Sequence, residues 1–213
     1  MKILNLYAGI GGNRRLWGDQ HEITAIEYNE DIASIYKDHF KNDTVIVTDA
    51  HEYLLEHYKE FDFIWSSPPC QTHTQLMRGN VSRWDYKAYP DMKLYQEIIW
   101  LQNFYKGKFC VENVKSYYKP LIEPKYISKH YVWANFYIPN IEQRERGHDR
   151  KGGSISKLSE IKGFDLTEYK VKDKRQLLRN CTESELGLHI LNCAGGKKEE
   201  KDFEQQTLFN AQV

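Results

Sequence analysis

The stretch Lys2-Ile3-Leu4-Asn5-Leu6-Tyr7-Ala8-Gly9-Ile10-Gly11-Gly12 decides the fold. Its first half is a short apolar run of the kind that forms a buried strand, and its second half is a glycine-rich turn placed to open a helix. Glycines there let the backbone bend tightly and approach a bound ligand closely. The same alternation continues outward. Ile23 to Ile26, Val45 to Val47, Phe61 to Trp65 and Phe109 to Val111 read as further buried strands. Between them, Glu30 to Phe40 places Ile32, Ile35, Tyr36 and Phe40 on one helical face, and Met92 to Tyr105 repeats Leu94, Ile98, Leu101 and Tyr105 at helical spacing. Strand, helix, strand in repetition predicts an α/β fold, a doubly wound and mostly parallel sheet with helices on both faces. In such sheets ligands sit at the carboxyl ends of the strands, so the residues that follow each apolar run form the candidate site.

The chain has 213 residues, 40% of them hydrophobic, which suffices for one sizeable core and at most a small appendage. It contains no run of about 18 apolar residues and no signal-peptide pattern, which argues against a membrane span or a membrane partner. The expectation is a soluble protein of the cytoplasm. Cys70, Cys110, Cys181 and Cys193 lie far apart without CxxC spacing, which argues against a zinc ribbon or a disulfide framework. His148, His189 and the two later cysteines match no metal-ligand spacing, so no metal is expected. The 30 basic and 30 acidic residues balance overall but not locally, since residues 115 to 179 hold 15 basic against 8 acidic side chains, a net +7. That surplus suits a polyanionic partner, and equally an ordinary solvated face.

The strand ends carry chemistry. After the second strand come Glu27, able to accept two ribose hydroxyls, and Tyr28, whose ring can cover an adenine. After the third comes Asp49, placed to accept from an adenine amino group. Three such ends in succession, with the Tyr7 to Gly12 turn, point to a cofactor containing adenosine. The fourth strand delivers Ser66-Ser67-Pro68-Pro69-Cys70-Gln71, in which two prolines stiffen the turn that holds Cys70 at the carboxyl edge. A lone cysteine is usually an inert buried thiol, but this loop setting favours a nucleophile. The fifth strand ends in Glu112-Asn113-Val114, bringing a carboxylate to the same edge, where an ion pair is its plainer use.

Taken together, these residues resemble the C5-cytosine DNA methyltransferase family. The resemblance rests on YAGIGG (7 to 12), Glu27-Tyr28, Asp49, PPCQ (68 to 71), ENV (112 to 114) and the Arg-x-Arg at Arg144 and Arg146, in the family's order over roughly residues 3 to 148. It implies the Rossmann-like S-adenosylmethionine-dependent methyltransferase fold, with Tyr7, Ala8, Gly9, Ile10, Gly11, Gly12, Glu27, Tyr28, Asp49 and Pro68 binding that cofactor. It also implies a covalent mechanism. Cytosine C5 is too weak a nucleophile alone, so Cys70 as thiolate adds to C6 while Glu112 holds a proton or hydrogen bond at N3 and the exocyclic amine. Arg146 is implied to contact the flipped base and Arg144 to support Cys70 and Glu112, although Glu142, with Gln143 beside it, stands where the family has Gln. The base must be extruded from duplex DNA, and the loop of residues 72 to 90, with Arg78, Gly79, Asn80, Ser82 and Arg83, is expected to close over it beside Gln71.

The resemblance thins after residue 146. Residues 1 to 146 are expected to form the catalytic domain, 147 to 195 a reduced, irregular target-recognition region, and 196 to 213 a flexible tail. Lys151, Lys157, Lys162, Lys172, Lys174, Arg175 and Arg179 supply the basic surface, with Lys174 and Arg175 as candidate DNA contacts. An amphipathic stretch, Glu183 to Leu191, stands out. The family's Gln-x-Gly-Asn-Ser segment before a returning helix is missing, so a more open cofactor pocket, or one completed by another protomer, is expected. In the tail, Gln205-Gln206-Thr207-Leu208-Phe209 resembles the peptide that docks bacterial replication proteins on the sliding clamp. The leading expectation is a compact DNA cytosine-5 methyltransferase of a phage or prophage, an orphan or part of a restriction-modification pair. RNA cytosine methylation, and a catalytically idle cofactor-binding or DNA-binding protein, are the rivals.

Overall fold

In the computed structural model, which describes residues 1–77, 88–141 and 154–196, the apolar runs become one sheet of seven strands. They are β1 (Lys2–Leu6), β2 (Glu22–Glu27), β3 (Thr44–Val47), β4 (Phe63–Ser66), β5 (Lys108–Val114), β6 (Lys125–Ile127) and β7 (His130–Ala134), in the order β3-β2-β1-β4-β5-β7-β6. The first five run parallel, β7 pairs antiparallel with β5, and β6 antiparallel with β7. This is the expected Rossmann-like α/β architecture, with an antiparallel edge that the alternation of strand and helix does not reveal.

Among the described residues six α-helices accompany the strands: α1 (Glu30–His39), α2 (Ala50–His57), α3 (Lys93–Phe104), α4 (Ile155–Lys162), α5 (Lys174–Asn180) and α6 (Ser184–Ala194). On one face, Leu54 of α2 and Leu94, Ile98 and Leu101 of α3 pack on Leu4, Leu6, Ile64, Phe109 and Val111. On the other, Leu186, Ile190, Leu191 and Ala194 of α6 pack on Ile3, Ile23, Phe63, Trp65, Cys110 and Val132. Each such buried aliphatic side chain stabilises the fold by about 1.5–3 kcal/mol, so α6 is anchored through its apolar face.

Two expectations change here. The glycine-rich turn does not open an α-helix but a 3-10 turn of four residues, Asn13–Leu16, ended by Gly18 at φ +75°. The face that a longer crossover helix would cover is covered instead by α6, which lies against that short turn. Residues 184–194 therefore belong to the same core as the sheet, although the Gln-x-Gly-Asn-Ser segment is missing.

The chain before it is also committed inward. Phe164, Leu166, Leu178 and Cys181 form a cluster with Ile10 of the first turn and Ile35 of α1, flanked by Leu158, Leu177 and Phe40. The helices α4 and α5 thus buttress α1 and the glycine turn. Buried Arg14 fixes the same corner through two hydrogen bonds to Asp43, Nε to Oδ2 at 2.8 Å and Nη2 to Oδ1 at 3.0 Å, and Tyr36 donates to Asp43 at 2.8 Å. Among the described residues no helix is long and apolar enough to cross a membrane, and no group of three or more His, Cys, Asp and Glu is placed to hold a metal ion.

Candidate active site

At the carboxyl edge, β1 leads into a turn closed by Gly11 N–H donating to Ala8 O at 2.9 Å. Glu27, at the end of β2, spans the gap: Oε2 accepts from Gly9 N–H at 2.9 Å and Oε1 from Asn29 N–H at 3.0 Å. Gly9 has φ +55°, and a side chain there would meet nothing within 4 Å, so this is the point where backbone lies open to a ligand. Beside it, Tyr28 is 77% exposed. A solvent-open cleft of about 480 Å³ is lined by Tyr28, Asn29, Glu30, Val47 and Thr48. An open glycine turn, an oriented carboxylate and an uncovered ring fit the adenosine end of S-adenosylmethionine.

Other members of the expected cofactor set point elsewhere. Ile10 is buried against α1 and α5, and a methyl group built on Gly11 or Gly12 would overlap Phe40 and Tyr36, or Cys181 and Thr182. These glycines permit close packing beneath the turn. Replacing Gly12 with alanine is expected to cost about 1–3 kcal/mol by forcing residues 181–182 away, read as a lowered urea midpoint with the secondary structure retained. Tyr7, at φ +55°, donates its hydroxyl to Glu97 at 2.5 Å. Asp49 caps α2, its Oδ1 accepting from His51 N–H at 2.8 Å and Glu52 N–H at 3.1 Å, while Oδ2 lies 3.5 Å from Lys93 Nζ.

The neighbouring strands β4 and β5 build the second half of the edge. Asn113 donates from Nδ2 to Pro68 O at 2.9 Å, which ties the buried Pro68 and the proline turn to β5. Cys70 follows, and its carbonyl accepts from His73 and Thr74 N–H, both at 3.0 Å. The turn is pinned further by a bridge of Thr74 to Ser116 and by Thr72 Oγ1 accepting from Asp91 N–H at 2.9 Å. Gln71 is exposed. Arg78, Asn80 and Arg83 of the long loop, and Arg144 and Arg146, lie outside the described residues, as do Gly79, Ser82, Glu142, Gln143, His148, Lys151 and the tail with Gln205–Phe209.

Glu112 is buried, and both of its oxygens are engaged. Ser67 Oγ donates to Oε2 at 2.9 Å while accepting from Trp65 Nε1 at 2.7 Å, and Thr182 Oγ1 lies 3.4 Å from the same oxygen. His130 Nδ1 stands 2.5 Å from Oε1. Burial first, and then the charge of Glu112, push the Cys70 thiol above its ordinary value. Among the described residues, the ionisable group acting on Cys70 is this carboxylate, and its charge disfavours the thiolate.

His130 continues to Glu183, with Nε2 3.1 Å from Oε2, and Glu183 Oε1 lies 3.4 Å from Lys162 Nζ. Burial alone would lower the imidazole's value, but Glu112 and Glu183 overcome it and raise it from 6.5 to about 10. Burial opposes the charge of Glu183 too, yet His130 and Lys162 hold its carboxyl well below the ordinary 4.5. Since His130 is raised, its contribution to stability is complete below pH 6.5 and fades as pH climbs toward about 10. Since Glu183 is depressed, its contribution is complete above pH 4.5 and is lost on acidification. The pair is expected to stabilise the fold most between pH 4.5 and 6.5, and Glu183→Gln should flatten the decline of the urea midpoint above that window.

Of the expected DNA contacts, Lys174 donates to Thr167 O at 2.9 Å and Arg175 is half-buried, while Lys162 is committed to Cys181 O at 2.5 Å and to Glu183. Lys157, Lys172 and Arg179 remain exposed. Sequence reasoning missed Asn113 as a clamp, His130 beside Glu112 and the fully buried Glu97. The last carried a signal, a carboxylate on the apolar stripe of a helix between Leu94 and Leu101.

Among solved structures, a mutant DNMT2 from Spodoptera frugiperda is 28% identical over 54% of this chain and 35% of its own, with a TM-score of 0.37. The Entamoeba histolytica methyltransferase EhMeth is 16% identical, covering 54% of this chain and 38% of its own, with a TM-score of 0.36. An S-adenosylmethionine-dependent methyltransferase from Agrobacterium tumefaciens is 14% identical over 55% and 40%, with a TM-score of 0.38. The chain thus spans about a third of the length of the Spodoptera protein. No curated protein matches it. Residues 1–121, which run from the first strand past Cys70 and Glu112, match the C-5 cytosine-specific DNA methylases, and the chain belongs to that family of S-adenosylmethionine-dependent enzymes.

Proposed function

We propose that this chain methylates cytosine C5 in duplex DNA, with Cys70 as nucleophile and Glu112 as the group that activates the base. The observation that carries the reading is the joint between two adjacent parallel strands. β4 ends in the turn that holds Cys70, β5 carries Glu112 two residues before its end, and Ser67–Glu112 and Asn113–Pro68 hydrogen bonds lock the two together.

S-adenosylmethionine, when bound, supplies an electrophilic methyl group; Gly9, Glu27 and Tyr28 would hold it, with Asp49 two residues past the end of β3. The chain's own residues make cytosine reactive. The Cys70 Sγ lone pair forms a bond to C6, and the displaced π electrons reach N3, where Glu112 supplies a proton. C5 is then enamine-like and can take the methyl group. Loss of the C5 proton to water re-forms the C5–C6 double bond and expels the Cys70 thiolate. In this reading Arg146 contacts the extruded base, Arg144 supports Cys70 and Glu112, and Gln71, Arg78, Asn80 and Arg83 contact DNA. Among the described residues, the expected basic side chains left exposed for reading a target are Lys157, Lys172 and Arg179, with Lys174 and Arg175 partly buried, within a region smaller than residues 147 to 195. That favours a short or degenerate site, and bisulfite sequencing of modified DNA should show many contexts methylated; confinement to one long site would contradict it.

The test of the activity is transfer of labelled methyl groups to duplex DNA and, separately, to tRNA. Label in duplex cytosine is expected. Label in tRNA alone would move the substrate to RNA, and label in neither would leave only cofactor or DNA binding.

The finer assignment of place and partner rests on sequence alone. We read the chain as a protein of the bacterial cytoplasm that docks on the sliding clamp through Gln205–Phe209. Clamp pull-down is expected with the wild type and lost on joint Leu208→Ala and Phe209→Ala substitution; no binding by the wild type would end the idea.

A further inference from the structure

We infer that His130 is the proton reservoir behind Glu112, a positioning residue that supplies the proton Glu112 passes to cytosine N3 and takes it back; this rests on the methyltransferase reading.

The sheet itself creates the arrangement. β7 runs antiparallel to β5 with Glu112 opposite Val132 and Val114 opposite His130. Residues two apart on a strand share a face, so His130 and Glu112 are diagonal neighbours on one side of the sheet. Nδ1 reaches Glu112 Oε1 at 2.5 Å, and Nε2 reaches Glu183 Oε2 at 3.1 Å. An imidazole placed between two carboxylates donates from both nitrogens, which is the doubly protonated form. Glu183, the residue immediately before α6, is brought there by the packing of that helix and is itself faced by Lys162 of α4. The charges that meet at this point are therefore Glu112, Glu183, His130 and Lys162, two of each sign. Cys70, in the turn after β4, feels the charge of Glu112, which together with burial disfavours its thiolate.

The proton balance closes. Cys70 first loses its thiol proton to water; as the thiolate Sγ bonds to C6, the C5–C6 π pair moves toward C4 and the C4–N3 π pair moves onto N3, which takes a proton relayed through Glu112. The proton relayed is the Nδ1 proton of His130, so Glu112 is a carboxylate before and after the step and His130 becomes a neutral imidazole that still donates from Nε2 to Glu183. When the C4–N3 double bond re-forms after alkylation at C5, N3 returns the proton by the same two steps. No external acid is consumed, and Glu112 needs no proton of its own between turnovers.

The test has two arms. In the first, the side-chain ¹⁵N resonances of His130 are followed against pH in the wild type and in Glu112→Gln and Glu183→Gln. The wild-type ring is expected to stay doubly protonated through pH 8 and each variant to titrate lower; a wild-type ring that titrates near 6.5 overturns the assignment whether or not the protein is active. In the second, His130→Gln, which can still hydrogen-bond Glu112 but cannot titrate, is compared with the wild type in methyl transfer. Turnover is expected to fall about 10²-fold, with cofactor affinity and KM for DNA unchanged. Its alkaline limb is expected to move to lower pH by at least about one unit, because Glu112 must then be protonated directly. An unchanged limb in an active enzyme overturns the role of His130 alone. A wild type that labels no cytosine while His130 titrates as expected overturns the methyltransferase reading and the role of His130 together.

Discussion

Methyl transfer by Cys70→Ala is expected to fall by about 10⁴-fold or more, the size of loss seen when a covalent nucleophile is removed. Cofactor binding and the circular dichroism spectrum should not change. The turn that holds the thiol is built without it: Pro68 is clamped by Asn113, the Cys70 carbonyl rather than its side chain accepts from His73 and Thr74, and Thr72 and Thr74 pin the following residues. Alanine keeps every one of these bonds. The same geometry predicts how the thiol behaves at rest. Burial and the Glu112 charge push it above its ordinary 9.0, so alkylation by iodoacetamide should have its midpoint above pH 9, and Glu112→Gln should move that midpoint down. Turnover should rise with pH over the same range, since the thiolate is the attacking form. A midpoint near 7 in the free protein would mean that a cation sits against Cys70, and Glu112 would then not govern it. Retention of more than a few per cent of wild-type transfer by Cys70→Ala would remove the covalent step altogether.

The parts of this fold that were legible share one property, a local pattern with a single physical outcome. Apolar runs bounded by turns gave β1 to β5, and helical spacing gave α1 and α3, to within a few residues of their ends. Asp49 shows the limit of such reading. A carboxylate at a strand end can face a ligand or cap the next helix, and Asp49 with Glu52 three residues on carries the capping pattern as well. The amphipathic stretch at Glu183 to Leu191 announced a buried face without naming what buries it. Assigned to a DNA-facing region, it turned out to cover the sheet, because the short 3-10 turn after β1 leaves that face unfilled. His130 was silent for a stronger reason. Its meaning depends on the register of β7 against β5, and antiparallel register between residues 18 positions apart leaves no periodic trace in the sequence.

Replacing Glu97 with alanine is expected to destabilise the protein by about 3–5 kcal/mol, because a fully buried carboxylate disappears and its partners stay buried. Oε1 accepts from Tyr7 OH at 2.5 Å and faces His51 Nδ1 at 3.1 Å, and Oε2 accepts from Ser66 Oγ at 2.6 Å. One side chain of α3 thus joins the ends of β1 and β4 to the first turn of α2, directly beneath both halves of the site. The loss should appear as a fall in melting temperature of roughly 6–20 °C for a domain of this size, and as weakened cofactor binding, since Tyr7 opens the turn that carries Gly9. Glu97→Gln separates shape from charge. It keeps the volume but turns an N–H₂ toward one of the donors, so it should lose part of the stability and all of the pH dependence that the pair creates. In the wild type the hydrogen bond and charge of Glu97 raise His51 above its ordinary 6.5 against the effect of burial. That contribution is therefore complete below pH 6.5 and is lost as pH rises through the raised value. Thermal melts from pH 5 to 9 should show this slope in the wild type and its loss in both variants. An alanine variant as stable as the wild type would mean that water satisfies Tyr7, Ser66 and His51, and the carboxylate would then be neither the joint of the two strand ends nor the support of the glycine turn.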